Sequence, residues 1–123
     1  MSNFASNLFN LRVLLRYDDK YSVYVAQCLE TGNVATADSS EAACGMIKEL
    51  LEDEILFALK TGNIKNLFSS PAPMEVLVQW LNAAQKNDPK TVFLDVNFKD
   101  LEHYKIEHKN QSFGSNLTIA QAA

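Results

Sequence analysis

The chain has 123 residues, of which 47% are hydrophobic and 21% charged, and its formal net charge is −4. This length and balance indicate one globular domain with a buried core, and the negative charge argues against a broad basic surface for nucleic acid. The sequence has no apolar run that could span a bilayer, no secretory signal pattern at its start and only two cysteines, so we expect a cytoplasmic protein with reduced thiols.

Three strands are predicted in the first third of the chain. Residues 1–7 are mostly small and polar, and we expect residues 1–8 to be a flexible N-terminus. Residues 9–16 alternate between apolar and other side chains, and residues 21–28 alternate with many β-branched and aromatic residues. A short polar turn joins these two runs, which predicts a hairpin. A second turn follows, in which Gly32 can adopt a positive φ, and it leads to a short third strand over 34–37.

A long helix is the clearest element of the sequence. Asp38 is the predicted N-cap, and Glu41 stands three residues later, where it completes a capping box. Lys60 and Gly62 are typical of a helix end. The apolar residues between these limits recur at helical spacing and predict one buried stripe: Ala43, Met46, Ile47, Leu50, Leu51, Ile55, Ala58 and Leu59.

The second half of the chain predicts one more helix and one more strand. Hydroxyl residues and prolines at 69–73 are typical of a helix start. The predicted helix covers about 72–85, with Trp80 at the edge of an apolar stripe formed by Met74, Leu77, Val78, Leu81 and Ala84. Residues 91–98 alternate as a strand. Residues 107–123 form a predominantly polar C-terminal tail, for which we expect fraying or docking on a partner copy.

Together these elements predict an α+β fold in a single domain over 9–106. The sheet is expected to have about four antiparallel strands, in the order β-β-β-α-α-β, with the long helix packed on one face. Val23, Val25 and Leu14 or Leu15 place apolar groups on both faces of the hairpin. The second helix or a second copy of the chain can cover the other face, and we expect a homodimer.

One stretch of the chain resembles a known family. Tyr24-Val25-Ala26, a turn with Gly32, a short strand and then Asp38-Ser39-Ser40-Glu41-Ala42 are similar to the pattern of the HicB-like antitoxins. The resemblance covers roughly residues 9 to 60. It implies a β-β-β-α-β core, a partial RNase H-like arrangement without nuclease activity, in which residues 92–98 are the returning strand. It also implies that the protein binds and neutralises a HicA-type RNA-cleaving toxin.

Two groups of residues are candidates for partner binding. Glu49, Glu52 and Asp53 fall three and four positions apart, so they form an acidic ridge on the long helix. This ridge would complement a basic partner such as an RNA-binding toxin, or it is a solvated helix face that keeps the domain soluble. Tyr21 and Tyr24 stand in the first hairpin, where they can serve an interface or lie on the outer face of a small sheet.

Catalytic and metal sites are not predicted. Cys28 and Cys44 are expected to be small buried hydrophobes, and the only histidines, His103 and His108, fall late in the chain at a spacing that does not align ligands. A nuclease of RNase H type needs clustered carboxylates, and of the candidates Asp18, Asp19, Asp38 and Asp95 only Asp95 falls mid-strand.

The sequence therefore predicts a non-catalytic binding module without cofactors. No ribbon-helix-helix or helix-turn-helix segment follows the last predicted strand, which argues against DNA binding. The alternative function is that of a domain with the same fold that binds RNA or a small molecule, or that serves as an assembly unit.

Overall fold

The sheet of this protein is mixed, with β1 and β5 parallel at its centre and every other neighbouring pair antiparallel. The computed structural model describes residues 6–94 and 113–122, and within these ranges the strand order is β3-β2-β1-β5-β4. The elements are β1 (Ser6–Asp18), β2 (Val23–Cys28), β3 (Val34–Ala37), α1 (Ser40–Thr61), α2 (Ile64–Leu67), α3 (Met74–Lys86), β4 (Lys90–Leu94) and β5 (Phe113–Gln121). The predicted α+β class is confirmed, whereas the prediction of about four antiparallel strands is wrong, because β5 adds a fifth strand that runs parallel to β1. None of the helices in these ranges has the length and apolar character needed to cross a membrane.

β1 is the central strand, and its side chains are buried on both faces of the sheet. Leu11, Val13 and Leu15 lie on the face that packs against α1. Leu14 points to the opposite face and packs with residues of α3. Successive side chains of a strand point to opposite faces, so a run that is apolar at consecutive positions needs a cover on each side.

α1 begins one residue later than the predicted cap would place it. Ser39 is the N-cap, since its backbone is extended and its Oγ accepts a hydrogen bond of 3.1 Å from the N–H of Ala42. Asp38, the predicted cap, is exposed. The predicted end is confirmed: Gly62 has a φ of 68°, and its N–H donates to the carbonyl oxygens of Ala58 and Leu59.

The buried side of α1 follows most of the predicted stripe. Six of its members are buried against the sheet: Ala43, Ile47, Leu51, Ile55, Ala58 and Leu59. Leu50 is half-buried, whereas Met46 is 50% exposed and therefore lies outside the packed face. The apolar residues of α1 form an arc wider than the strip that the sheet covers.

α3 lies on the other face of the sheet, against β1 and β5. Its packed residues are Val76, Leu77, Trp80, Ala83 and Ala84, which surround Leu14, Leu29 and Ala120. The indole N–H of Trp80 donates a hydrogen bond of 3.3 Å to the carbonyl oxygen of Thr118. Trp80 is thus part of the contact rather than at its edge, while Met74, Val78 and Leu81 of the predicted stripe are exposed.

β5 corrects the predicted polar tail. Its residues pair in parallel with β1 from Ser6–Phe113 to Leu15–Gln121, and they pair with β4 on the other side. Leu117 and Ile119 are buried. The tail prediction is therefore wrong for 113–121, because a short alternation among polar residues becomes a strand once two neighbouring strands supply its hydrogen bonds.

The predicted domain limits change accordingly. The domain includes β5, and β1 starts at Ser6, so the prediction of a flexible terminus is wrong for residues 6–8. Residues 1–5 and 95–112 lie outside the described ranges, and with them the last part of the predicted strand 91–98. Over its described part, β4 has the predicted alternation, with Leu94 buried and Phe93 exposed.

Gly32 fixes where the chain enters α3. It has a φ of 80° in the turn after β2, and a Cβ at this position would overlap the carbonyl oxygen of Ser70. Next to this contact, the N–H of Ala72 donates a 2.9 Å hydrogen bond to the carbonyl oxygen of Leu29. Backbone contacts therefore hold the turn after β2 against the segment before α3.

We predict opposite effects for alanine at two glycines. Gly32→Ala should lower the free energy of unfolding by about 1–3 kcal/mol, since it places a side chain at a positive φ and against Ser70. Gly45→Ala should raise it by about 0.5–1 kcal/mol, because Gly45 is exposed within α1 and a Cβ there meets nothing within 4 Å. Urea unfolding of the two variants measures both changes, and a destabilising Gly45→Ala or a neutral Gly32→Ala would contradict this packing.

Candidate functional site

The outward side of α1 carries acidic and apolar residues in one stripe. Glu49 and Asp53 are exposed, and the large hydrophobic residues on either side of them, Met46 and Phe57, are 50% and 66% exposed. These four residues are spaced by three, four and four positions, so they share one side of the helix. We call them the α1 outer stripe. Exposed apolar side chains beside unpaired charges are a composition suited to contact with another protein.

Glu52 differs from the other two residues of the predicted acidic ridge. It is half-buried, and its Oε2 accepts a 2.7 Å hydrogen bond from Nζ of Lys48, one helical turn earlier. Glu49 and Asp53 enter no ion pair with any other described residue. The negative charge on this side of α1 is therefore carried by Glu49 and Asp53 rather than by three equivalent carboxylates.

The predicted tyrosines lie elsewhere, at the β1–β2 hairpin. Tyr24 is half-buried and meets Tyr17 edge to face, with ring centroids 5.0 Å apart. Tyr21 is exposed in the turn, with Nζ of Lys20 5.3 Å from its ring centroid. Tyr24 lies near Glu41 at the start of α1, and Asp53 follows twelve residues later, which is about 18 Å along the axis. The structure does not bring Tyr21 and Tyr24 together with the acidic residues.

A groove of about 740 Å³ opens between the start of α1 and the sheet. It lies at the end of the sheet where β5 finishes, because Lys90 and Gln121 line it whereas Leu94 and Ser115 pair at the opposite end. Its lining combines aromatic, charged and apolar side chains: Leu15, Tyr17, Tyr24, Ser40, Glu41, Cys44, Asn87, Asp88, Lys90, Val92, Ile119, Gln121 and Ala122.

Cys44 is the nucleophilic side chain in this groove, and its surroundings do not activate it. Burial raises the pKa of the thiol, Glu41 raises it further, and the nearby Lys90 lowers it only in part, so the net shift is upward. A thiol with a raised pKa is protonated at neutral pH and is a weak nucleophile. Cys44 behaves as a half-buried hydrophobic residue.

Cys28 is shielded more completely. It is fully buried on the α1 side of the sheet. Burial raises the pKa of its thiol and Glu30 raises it further, while hydrogen bonds with Thr31 and the backbone of Glu30 oppose the shift. His103 and His108 lie outside the described residues, as does Asp95. Within the described ranges, no three or more His, Cys, Asp or Glu side chains converge in a way that could hold a metal ion.

A polar cluster that sequence reasoning missed lies where β1 meets α3. Nε of Arg12 donates to Oε2 of Glu30 at 2.7 Å, and its backbone N–H donates to Oε1 at the same distance. The guanidinium also lies over the Trp80 ring, 5.6 Å from the centroid. These residues are distant in sequence, and no local pattern predicts their contact. The cluster links the turn after β2 to α3. Its contacts explain how the charged side chain of Arg12 is accommodated in the central strand.

No protein-family model, no curated protein and no solved structure matches this chain. The surfaces of this molecule are therefore the evidence for its function.

The raised thiol pKa values lead to a pH prediction. In the folded protein, Cys44 should react slowly with iodoacetamide at pH 7, and its rate should rise about tenfold per pH unit up to at least about pH 9, since only the thiolate reacts. Cys28 should remain unmodified until urea unfolds the chain, because it is buried. Peptide mapping by mass spectrometry measures both rates, with Cys44→Ser as the control. A Cys44 rate that levels off below pH 8 would contradict the raised pKa.

Proposed function

We propose that this chain is a non-catalytic, HicB-like binding module that masks a basic partner protein, with a HicA-type RNA-cleaving toxin as the expected partner. The observation that carries the proposal is the α1 outer stripe, in which Glu49 and Asp53 lie between the exposed Met46 and Phe57. Apolar side chains of this size supply the contact area of an interface. The carboxylates between them favour a partner with a positive surface.

The chemistry of an RNA-cleaving partner fits this surface. A protein that binds RNA needs basic groups to contact the phosphates. An acidic helix face that binds those groups would block access of the RNA and neutralise the partner without any reaction of its own. Steering between opposite charges would also speed the encounter at low ionic strength.

The topology also supports the HicB-like part of the proposal. Three antiparallel strands lead into a long helix, and a later strand then returns to the sheet beside β1. The resemblance implies such a β-β-β-α-β core, although it assigns the returning strand to 92–98. In this chain the strand beside β1 is β5, and β4 lies outside it at the edge.

We further propose that the protein acts in the cytoplasm as a homodimer. α3 favours a second copy, because it covers β1 and β5 but leaves large hydrophobic residues of its own exposed. The cytoplasmic location and the homodimer do not depend on which basic protein is bound.

The groove at the start of α1 favours a second candidate function, small-molecule binding. Its volume of about 740 Å³ lies within the range of about 300–1,000 Å³ that is common for ligand sites. The Tyr17–Tyr24 pair offers aromatic surface, and Lys90 with Glu41 offers polar contacts. In this alternative the α1 outer stripe is only a solvated helix face.

Neutralising the α1 outer stripe should remove most of the capture of a basic partner. In a pull-down from native lysate, the wild-type chain should recover a basic protein that cleaves RNA when expressed alone and is inhibited by the chain. The Glu49→Gln, Asp53→Asn double variant should lose roughly nine-tenths of this capture, since it removes the two exposed carboxylates of the stripe. Mass spectrometry identifies the captured protein, and an RNA-cleavage assay measures inhibition.

A matched control distinguishes the loss of charge at the α1 outer stripe from the loss of charge on the whole protein. The Asp38→Asn, Asp88→Asn double variant changes the net charge by the same amount with exposed residues away from the outer stripe. It should capture the partner as the wild-type chain does. If both variants lose capture equally, the loss follows from the net charge and not from the position of the carboxylates. If the wild-type chain recovers no RNA-cleaving protein, the proposed masking function is overturned.

A further inference from the structure

α3 has an apolar stripe that the sheet does not cover. Met74, Val78 and Leu81 are 72%, 49% and 45% exposed. They are spaced by four and three positions, so they lie along one side of the helix. The residues that pack on the sheet, centred on Trp80 and Ala83, occupy a different part of the circumference. We call these three residues the α3 outer stripe.

Four of the five polar residues of α3 lie on what remains of the helix surface, and the fifth, Gln85, continues the direction of the outer stripe one turn beyond Leu81. At 100° per residue, Glu75, Gln79, Asn82 and Lys86 fall within one arc of about 60°. The outer stripe lies between this arc and the side that packs on the sheet. A helix on the surface of a monomer needs only the stripe that faces its own sheet, so the additional apolar side points to a second protein surface.

The charged residues at the two ends of α3 indicate which protein covers the outer stripe. Glu75 is in the first turn and Lys86 in the last, both are exposed, and neither has an ion-pair partner among the described residues. They are eleven residues apart, which returns to nearly the same angle on the helix, so both lie along the same margin of the outer stripe. In a pair of antiparallel α3 helices related by a two-fold axis, Glu75 of each copy faces Lys86 of the other.

The positions of the apolar residues agree with the same axis. The midpoint of Val78 and Leu81 falls within one residue of the midpoint of Glu75 and Lys86, a difference of about 1.5 Å along the helix. Val78 of one copy therefore meets Leu81 of the other when the charges pair. A membrane surface is a poorer occupant, because Lys86 is the only basic residue of α3.

We propose that the α3 outer stripe is an isologous interface through which two copies of this chain pair their α3 helices in antiparallel orientation. This interface rests on the homodimer proposed above and is independent of the basic partner. Three partly exposed side chains bury less than the roughly 1,200 Å² of a stable standard interface. The dimer should therefore dissociate on dilution.

Sedimentation velocity of the full chain over a concentration series tests this interface. The wild-type chain should shift from monomer to dimer as its concentration rises. Val78→Asp should raise the dissociation constant by roughly tenfold or more, because it places a charge in the apolar contact. Phe57→Asp makes the same kind of change in an exposed residue of α1 and should leave the equilibrium unchanged. Circular dichroism verifies that each variant is folded.

A charge exchange distinguishes this antiparallel pairing from any other contact. Glu75→Lys and Lys86→Glu should each weaken the dimer, since each places like charges opposite one another. The double variant with both changes should restore the wild-type dissociation constant to within about twofold. Failure of this rescue, or a dimer that Val78→Asp does not weaken, would overturn the α3 interface while the homodimer stands. A wild-type chain that is monomeric at every concentration would overturn both.

Discussion

The burial of β1 on both of its faces is the constraint on which this fold depends. Leu11, Val13 and Leu15 need cover on one side and Leu14 on the other, and the strand also needs a partner along each edge. α1 and α3 supply the two covers, and β2 and β5 supply the two edges. Burying each of these side chains contributes about 1.5–3 kcal/mol, so neither helix can leave the sheet without exposing part of this strand.

The candidate interaction surfaces follow from this arrangement. Each helix uses one side for the sheet, and on each the apolar residues extend beyond that side, to Met46 and Phe57 on α1 and to Val78 and Leu81 on α3. The two outer stripes differ in charge, because carboxylates interrupt that of α1 while opposite charges stand at the ends of α3. One stripe suits a basic partner and the other a second copy, and they lie on opposite faces of the sheet.

The sequence predicted the local features well and the long-range ones poorly. The extent of α1 could be predicted because Gly62 and the buried stripe are local signals, although Ser39 rather than Asp38 forms the cap. β5 could not be predicted, since its pairing depends on strands more than twenty residues away in sequence. For the same reason the exposure of Val78 was missed: its apolar spacing fits a helix, but only the position of the sheet decides which side is buried.

Native-state hydrogen exchange of β5 is the most direct measurement of the central claim. If β5 completes the burial and pairing of β1, the amides of Leu117 and Thr118 should exchange as slowly as that of Val13, at the rate set by global unfolding. Exchange of the β5 amides orders of magnitude faster than that of Val13 would show that the strand frays independently, and it would contradict a sheet built around a doubly covered β1.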